Sequence, residues 1–375
     1  MKKIFINRHG RGYLTAMSEN GKLVEIIRDD DKNASVVGNI YAGIVKKINT
    51  GFIFLDVGLS KQAFLDTRDH RERGLFDDSK LTVKHGDTLI VQIFRDGAGD
   101  KGPGATSNIS HVGRFVVLTK SIRHDKINVS KKIADTAEVV RLKTLGEKLV
   151  PAGFSAIFRS AAENRNEDEI ASEILTVAAN FGKIAGQYAK GPATLSAEPP
   201  IIKTLREISG DDIDEIVVDD AETHALLADY APRLRLYSEC QPIFERFFLK
   251  AQIDKIRDKR VWLKSGAFIV IEQTEACVVI DVNSGKLTAK KGDAALKVNM
   301  EAAKEIAYQL RLRNLSGIIV VDFIVMKSAN DTNSLTEFLR TEMAKDRIPA
   351  VVVGMTALGL MEITRKRVRP PFTAL

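Results

Sequence analysis

Cysteine is nearly absent from this chain of 375 residues: Cys240 and Cys277 are the only two, too few for a disulfide framework or a cysteine-rich zinc site. A reducing, cytoplasmic setting is therefore expected. No apolar run is long enough to span a bilayer. The opening residues, Met1-Lys2-Lys3-Ile4-Phe5-Ile6-Asn7, turn polar at once and lack the apolar core of a signal peptide. Histidine stops at His224, which leaves the C-terminal third little material for zinc ligation or imidazole acid–base chemistry. What remains is an ordinary globular composition, 44% hydrophobic and 28% charged, with chain enough for a sizeable core. The formal charge of +7 suits a polyanionic partner, but the basic residues are spread along the chain, so charge alone is a weak pointer.

Residues 1–36 read as short strands at 3–7, 13–17 and 22–27. Arg8-His9-Gly10 matches the Arg-His-Gly of histidine phosphatases, yet three residues match easily by chance, and a strand-to-turn corner is the better reading. From 37 to 107 the pattern changes to β-rich runs at 40–48, 52–57, 62–65 and 88–94, a small all-β barrel. Phe52 and Phe54 alternate along one run and Phe64 lies on the next, near Lys46, Lys47 and Lys61. Aromatics interleaved with lysines suit base stacking beside a phosphate-tracking groove. Phe52 is expected in the core, whereas Phe54 and Phe64 fit either role. Gly97-Ala98-Gly99-Asp100-Lys101-Gly102 has the spacing of a dinucleotide fingerprint, but Pro103-Gly104 intervenes where a helix must open; the loop reads as a presenter of Lys101.

Residues 108–193 look mixed: a strand at 114–118, a basic loop at 120–132, a helix at 134–149, a strand at 155–159 and an amphipathic helix through Ile170, Ile174, Val177, Phe181, Ile184 and Tyr188. Arg159-Ser160 closes the second strand and fits a phosphate fork or a surface ion pair. A linker near 190–200 leads to a second small α/β piece, in which Asp219 and Asp220 read as turn residues. One connecting helix is expected over 242–257.

The chain is organised around Val261 to Met326. Two very apolar strands end in Ile280-Asp281-Val282-Asn283 and Val321-Asp322-Phe323, with a long helix between them. Carboxylates buried at strand ends are expensive without a metal or partner. Asn283 stands two residues after Asp281, so both side chains point to one side of an extended chain. A hard cation such as Mg²⁺ takes one or two carboxylates plus waters and phosphate oxygens. Turn capping is the plain alternative. Lys286, Lys290, Lys291, Arg311, Arg313, Arg365, Lys366 and Arg367 supply cations nearby in sequence.

Together with Val261-Trp262-Leu263-Lys264-Ser265-Gly266, Glu272-Gln273-Thr274-Glu275-Ala276, Asn299-Met300-Glu301-Ala302-Ala303 and Arg311-Leu312-Arg313-Asn314-Leu315, these residues resemble the ribonuclease E/G family, and the similarity runs back through nearly all of the chain. The resemblance implies a multidomain α+β architecture: a non-catalytic, split ribonuclease-H-like lobe (1–36 and 194–257), an S1-type OB-fold barrel (37–107), a 5′-sensor region (108–193) and a DNase-I-like catalytic lobe (258–375). It implies a Mg²⁺-dependent endoribonuclease, with Mn²⁺ as a substitute, that leaves 5′-phosphate and 3′-hydroxyl ends on single-stranded RNA and favours 5′-monophosphorylated substrates in rRNA processing and mRNA decay. Asp281 and Asp322 would ligate the metal, Asn283 would position the scissile phosphate, Phe54, Phe64 and Lys101 would grip RNA, and Val117, Arg159 and Ser160 would form the sensor, Ser160 standing where the family usually has Thr.

The chain departs from the family in three places. The Cys-Pro-x-Cys zinc link does not follow the catalytic lobe, so no zinc and no zinc-linked tetramer are expected, zinc-free association such as a homodimer staying open; neither DNA nor membrane is an expected partner. Val325 stands where an acid is common, and Thr356-Ala357-Leu358-Gly359 replaces Ser-Arg-Phe-Gly, a loss that Arg365 or Arg367 would have to compensate. That loss keeps open an alternative, an RNA- or ribosome-associated binding protein with little turnover.

Overall fold

The computed structural model describes residues 1–29, 35–67, 83–97, 101–120, 126–186, 191–208, 213–230, 233–285, 293–326 and 328–372. It is a mixed α+β protein with two compact units, Ala34–Asp211 and a unit assembled from Met1–Asn33 with Asp212–Leu375. The chain opens on an antiparallel meander of β1 (Lys2–His9), β2 (Gly12–Glu19) and β3 (Lys22–Asp29).

The inserted unit starts with β4 (Ile40–Asn49), β5 (Phe52–Asp56), β6 (Ala63–Asp66), β7 (Thr88–Arg95) and β8 (Gly104–Thr106). Their order is β4-β5-β6-β8-β7, and pairing of β4 with β7 closes five strands into a barrel of the OB/S1 kind. Val45, Ile53, Leu55, Leu65, Val91 and Ile93 fill its interior. Strand alternation then sends the even positions of β5 outward. Phe52, expected in the core, is 42% exposed, because Ile53 and Leu55 hold the inward places.

A second layer of the unit is the sheet β11-β12-β10-β9, built from β9 (Ser110–Val112), β10 (Val116–Lys120), β11 (Ile127–Val129) and β12 (Phe154–Phe158). Helices α1 (Thr136–Leu149) and α2 (Glu167–Gly186) supply Leu142, Leu145, Ile170, Ile174 and Phe181 to a core shared with Val116, Leu118, Ala156 and Phe158. Next, β13 (Ala193–Ser196) pairs with β4, and in α3 (Pro200–Ile208) Lys203 donates to the carbonyls of Ser35 and Val37 at 3.2 and 2.8 Å and to Asn39 Oδ1 at 2.6 Å. The stretch expected to resume the split lobe at 194 is thus held to the barrel by main-chain pairing and a buried ammonium, and lies in the inserted unit.

Back in the first unit, β14 (Glu215–Val218) runs parallel to β1, α4 (Ala221–Leu226) follows, and β15 (Leu234–Leu236) completes the sheet β15-β14-β1-β2-β3. Asp219 accepts from Asn7 and from the Arg8 N–H, and Asp220 caps α4 through the Thr223 N–H, so both act as turn residues. The connecting helix expected over 242–257 is broken into α5 (Ile243–Arg246), α6 (Lys250–Asp254) and a 3₁₀ turn. The break sits at Phe248, whose φ of 57° turns its own ring outward and sends Leu249 and Ile253 into the core beneath Phe5.

The remaining strands are β16 (Arg260–Trp262), β17 (Phe268–Gln273), β18 (Cys277–Asn283), β19 (Gly317–Asp322), β20 (Ala350–Met355) and β21 (Leu360–Arg365), with α7 (Asp293–Leu312) and α8 (Ala329–Met343) between them. They form one sheet, β16-β17-β18-β19-β21-β20, in which only β18 and β19 pair in parallel. Ile269, Ile280, Ile319, Val321, Met361 and Ile363 bury one face against Ile306 and Leu310 of α7 and Leu335 and Leu339 of α8. Tyr308 donates its hydroxyl to the Leu23 carbonyl at 2.5 Å, and burial holds that phenol well above its usual pKa. Among the described residues no helix is long and apolar enough to cross a membrane.

Candidate active site

Parallel pairing of β18 with β19 sets Asp281 directly opposite Asp322. Neighbouring strands lie about 4.8 Å apart, and register partners in a parallel pair point to the same face. Val278, Ile280 and Val282 take the helix-covered side together with Ile319 and Val321. Asp281, Asn283 and Asp322 therefore share the uncovered side, at the carboxyl ends of the two parallel strands. This is where ligands collect on such sheets. Asn283 Nδ2 donates to Asp281 Oδ2 at 2.5 Å. Both carboxylates are exposed, contrary to the expected burial, because among the described residues no helix covers the face that carries them. Their significance rests on being paired, not on being hidden. Among the described residues no three His, Cys, Asp or Glu side chains converge on a metal position. Two carboxylates with an amide beside them still match the donor set of a magnesium site, which leaves most positions to water and phosphate.

The strand end that bears Asp322 is fixed from behind. Asn299 of α7, fully buried, donates to the Ile324 carbonyl at 2.7 Å and accepts from the Ile324 N–H at 3.0 Å. In the sequence Asn299 belongs to the family-like Asn299–Ala303 motif, and an asparagine on the apolar face of an amphipathic helix is the signal that points to it. Past Asn283, Gly285 takes φ 63°, and a Cβ there would lie 2.4 Å from the Gly266 carbonyl oxygen, so only glycine lets the two loops meet. Leu360 is the register partner of Asp322, which puts the Thr356–Gly359 turn immediately beside the acids. Leu358 in that turn is 87% exposed.

Two of the cations expected around the site are engaged elsewhere. Arg365 is buried, pairing with Asp346 at 2.8 Å and donating to Asn314 and the Leu315 carbonyl, so it cannot stand in for an arginine in the 356–359 turn. β21 sends it inward because Glu362 and Thr364 hold the outward positions. Arg313 is likewise buried, donating to Gln309 and the Asp258 carbonyl. Lys286, Lys290 and Lys291 lie outside the described residues.

In the other unit, Phe54 and Phe64 are cross-strand partners on the outer wall of the barrel. Phe52 joins them, its ring 6.0 Å from that of Phe64 in an edge-on arrangement, and the Arg95 guanidinium stands 5.3 Å from the Phe64 ring. Lys101 is exposed at the start of the 101–104 segment, whose Gly102 abuts the Gln62 carbonyl so closely that a Cβ would lie 1.9 Å from it. Residues 98–100 of the glycine-rich loop lie outside the described residues. Sequence reading missed Phe52 and Arg95 as members of this face.

Val117 pairs with Ile157, so Val117 and Arg159 fall on the same, outer side of the β10–β12 ladder. Arg159 Nη1 donates to the carbonyls of Gly113 and Arg114 at 2.8 and 3.3 Å, and Ser160 is exposed at the head of the next turn. The loop these carbonyls belong to is gripped from α2 as well. Glu173 accepts from the N–H groups of Arg114, Phe115 and Val116 at 2.9, 2.8 and 2.9 Å. A Cβ at Gly113 would lie 2.3 Å from the same carboxylate, which explains the glycine. In the sequence Glu173 is one more polar position of an amphipathic helix, and spacing alone does not reveal its role.

Comparison with known proteins places the chain among relatives over nearly its whole length. The sequence profile of the ribonuclease E/G family matches residues 110–368. Ribonuclease G of Haemophilus influenzae is 33% identical over 380 residues, covering 94% of this chain and 77% of that protein. Ribonuclease G of Escherichia coli strain K12 is 34% identical over 381 residues with the same coverage. Ribonuclease E of a Nostoc species is 34% identical over 354 residues, which are 88% of this chain and 51% of that protein.

Proposed function

Because the chain belongs to the ribonuclease E/G family, we propose that it is an endoribonuclease that cleaves single-stranded RNA at Asp281 and Asp322 and leaves 5′-phosphate and 3′-hydroxyl ends. The observation that carries this reading is the register pairing of the two aspartates on the uncovered face of the sheet. Asp281 and Asp322 would hold a divalent cation, Mg²⁺ or Mn²⁺, which when bound lowers the pKa of water and stabilises charge on the phosphate. Asn283 holds Asp281 in place through its amide and keeps a carbonyl oxygen free to orient a water or a ribose hydroxyl. Asn299 sets the height of Asp322 relative to Asp281 by fixing the backbone that follows it. The outer wall of the barrel, with Phe52, Phe54, Phe64, Arg95 and Lys101, suits bases that stack and a backbone that needs counter-charge. Arg159 and Ser160 would take a terminal 5′-phosphate, favouring monophosphorylated RNA.

The test compares 5′-monophosphorylated and 5′-hydroxyl forms of one unstructured RNA, each with Mg²⁺ or EDTA, and maps product ends. Cleavage that needs the cation, yields 5′-phosphate ends and disappears in folded Asp281→Asn and Asp322→Asn supports the reading. Cutting at the wild-type rate by either variant would overturn it. RNA binding with no products under any divalent ion would favour the binding-protein reading, for which the apolar Thr356–Gly359 turn is the motivating feature.

A further inference from the structure

The uncovered face of the 258–375 sheet carries a second cluster that cleavage at Asp281 and Asp322 does not use. On the edge strand β16, Arg260 and Trp262 point to the same side as Phe268 of β17, since Val261, Ile269 and Ile271 take the side of the helices. The rings of Trp262 and Phe268 lie 5.1 Å apart at a 58° tilt. The Arg260 guanidinium stands 4.5 Å from the Phe268 centroid and 5.8 Å from that of Trp262. Among the described residues Arg260 makes no ion pair, and Trp262 is left 63% exposed.

Strand register locates the cluster. Trp262 opposes Phe268, which opposes Asn283; Arg260 opposes Val270, which opposes Asp281, which opposes Asp322. Two cross-strand rows thus run from the sheet edge to the acids. Arg260 and Trp262 each sit two strands, about 10 Å at ordinary spacing, from Asp281 and Asn283 respectively. Within the strands of this face, the exposed Val279, Ile318, Val351 and Val353 lie toward the opposite ends of the parallel strands, while the exposed Leu358 belongs to the turn beside the acids. The aromatic pair and its cation are grouped with the acids.

We propose that Arg260, Trp262 and Phe268 form a nucleotide subsite for the RNA strand being cut. A base stacks on the open face of Trp262, Phe268 backs that ring, and the Arg260 guanidinium meets the phosphate of the same or the next nucleotide. Stacking tolerates any base because every base has a π-face, and a cation on the row of Asp281 offsets the repulsion between the acids and the RNA backbone. The subsite rests on the reading of Asp281 and Asp322 as the cutting pair, and it adds to that reading a holding point for the flanking nucleotide.

Trp262 is the only tryptophan of the chain, so its emission reports on this position alone. A short unstructured 5′-hydroxyl RNA titrated into the full chain in EDTA should quench that emission to saturation. The midpoint should agree with binding followed by anisotropy of labelled RNA. An abasic substitution walked along the RNA should abolish the quench at one position. Trp262→Ala should lower affinity and raise KM by roughly 5- to 150-fold with kcat little changed, and Trp262→Phe should restore most of it. Arg260→Gln should flatten the salt dependence of binding by about one charge. Emission unmoved by saturating RNA, or an unchanged KM in Trp262→Ala, overturns the proposal. So does a Trp262→Ala variant that alters only the particle mass in light scattering, which would assign the face to a second copy of the chain. Wild-type cleavage by Asp281→Asn defeats the cleavage reading instead, in a separate assay.

Discussion

Glu173 and Arg159 hold one loop from its two polarities: the Glu173 carboxylate accepts the N–H groups of Arg114, Phe115 and Val116, and the Arg159 guanidinium donates to the carbonyls of Gly113 and Arg114. An arginine anchored this way is pre-positioned at little entropic cost when an anion arrives. Removing Glu173 strands three main-chain donors. Glu173→Ala should therefore destabilise the unit by about 1–3 kcal/mol in thermal or denaturant unfolding. It should also lower the ratio of cleavage rates for 5′-monophosphorylated over 5′-hydroxyl RNA. Arg159→Ala should lower the same ratio without the full stability loss. Equal slowing of both RNAs would make Arg159 a structural residue.

Asn299 allows the positioning of Asp322 to be separated from its chemistry. Asn299→Ala leaves the Ile324 N–H and carbonyl without their buried partner, at about 1–3 kcal/mol for each group that water cannot reach. If the clamp sets the Asp281–Asp322 geometry, kcat falls while RNA affinity measured in EDTA stays at the wild-type value. A variant that loses stability but keeps kcat would confine Asn299 to the fold.

The sequence carried the carboxylate pair because a period-two alternation of apolar residues fixes both which strands form and which side Asp281, Asn283 and Asp322 face. The same logic located the barrel strands. It failed where the deciding contacts are distant in sequence. β21 enters the sheet between β19 and β20, which no local pattern announces, and its insertion is what buries Arg365 against Asp346. Phe52 lies outside the core it is expected in because alternation fixes two sides without saying which is inside, and the pairing of Ile53 with Leu65 settles it. Glu173 and Asn299 are polar residues on helices, and only the tertiary fold brings them to the backbone groups they hold.

The aromatic wall of the barrel should behave as a unit. Phe54→Ala and Phe64→Ala should each weaken RNA binding by roughly 1–3 kcal/mol. Phe52→Ala should do so as well, since its ring packs edge-on against Phe64. Phe54 and Phe64 are direct cross-strand partners, so the double variant should lose less than the sum of the singles. Binding in EDTA by anisotropy measures this, and unchanged affinity in all three single variants would return the wall to a purely structural role.

His111 gives the inserted unit a defined response to acid. Burial is the main influence on its imidazole and lowers its pKa; Arg206 lowers it further, and Glu198 and Glu173 pull in the other direction without reversing the shift. A histidine whose folded pKa lies below the unfolded value of 6.5 favours the neutral ring in the native state. Its contribution to stability is complete above the unfolded pKa. As pH falls through that value the unfolded chain takes up a proton that the native ring resists, so stability declines until the lowered folded pKa is passed. Carboxylates titrate near 4.3, below the start of this window, so the upper part of the decline belongs to histidine. Melting temperature followed from pH 7 downward should begin to fall near 6.5 in the wild type, and His111→Gln should flatten that portion. An identical pH slope in the variant would show that His111 does not carry the effect.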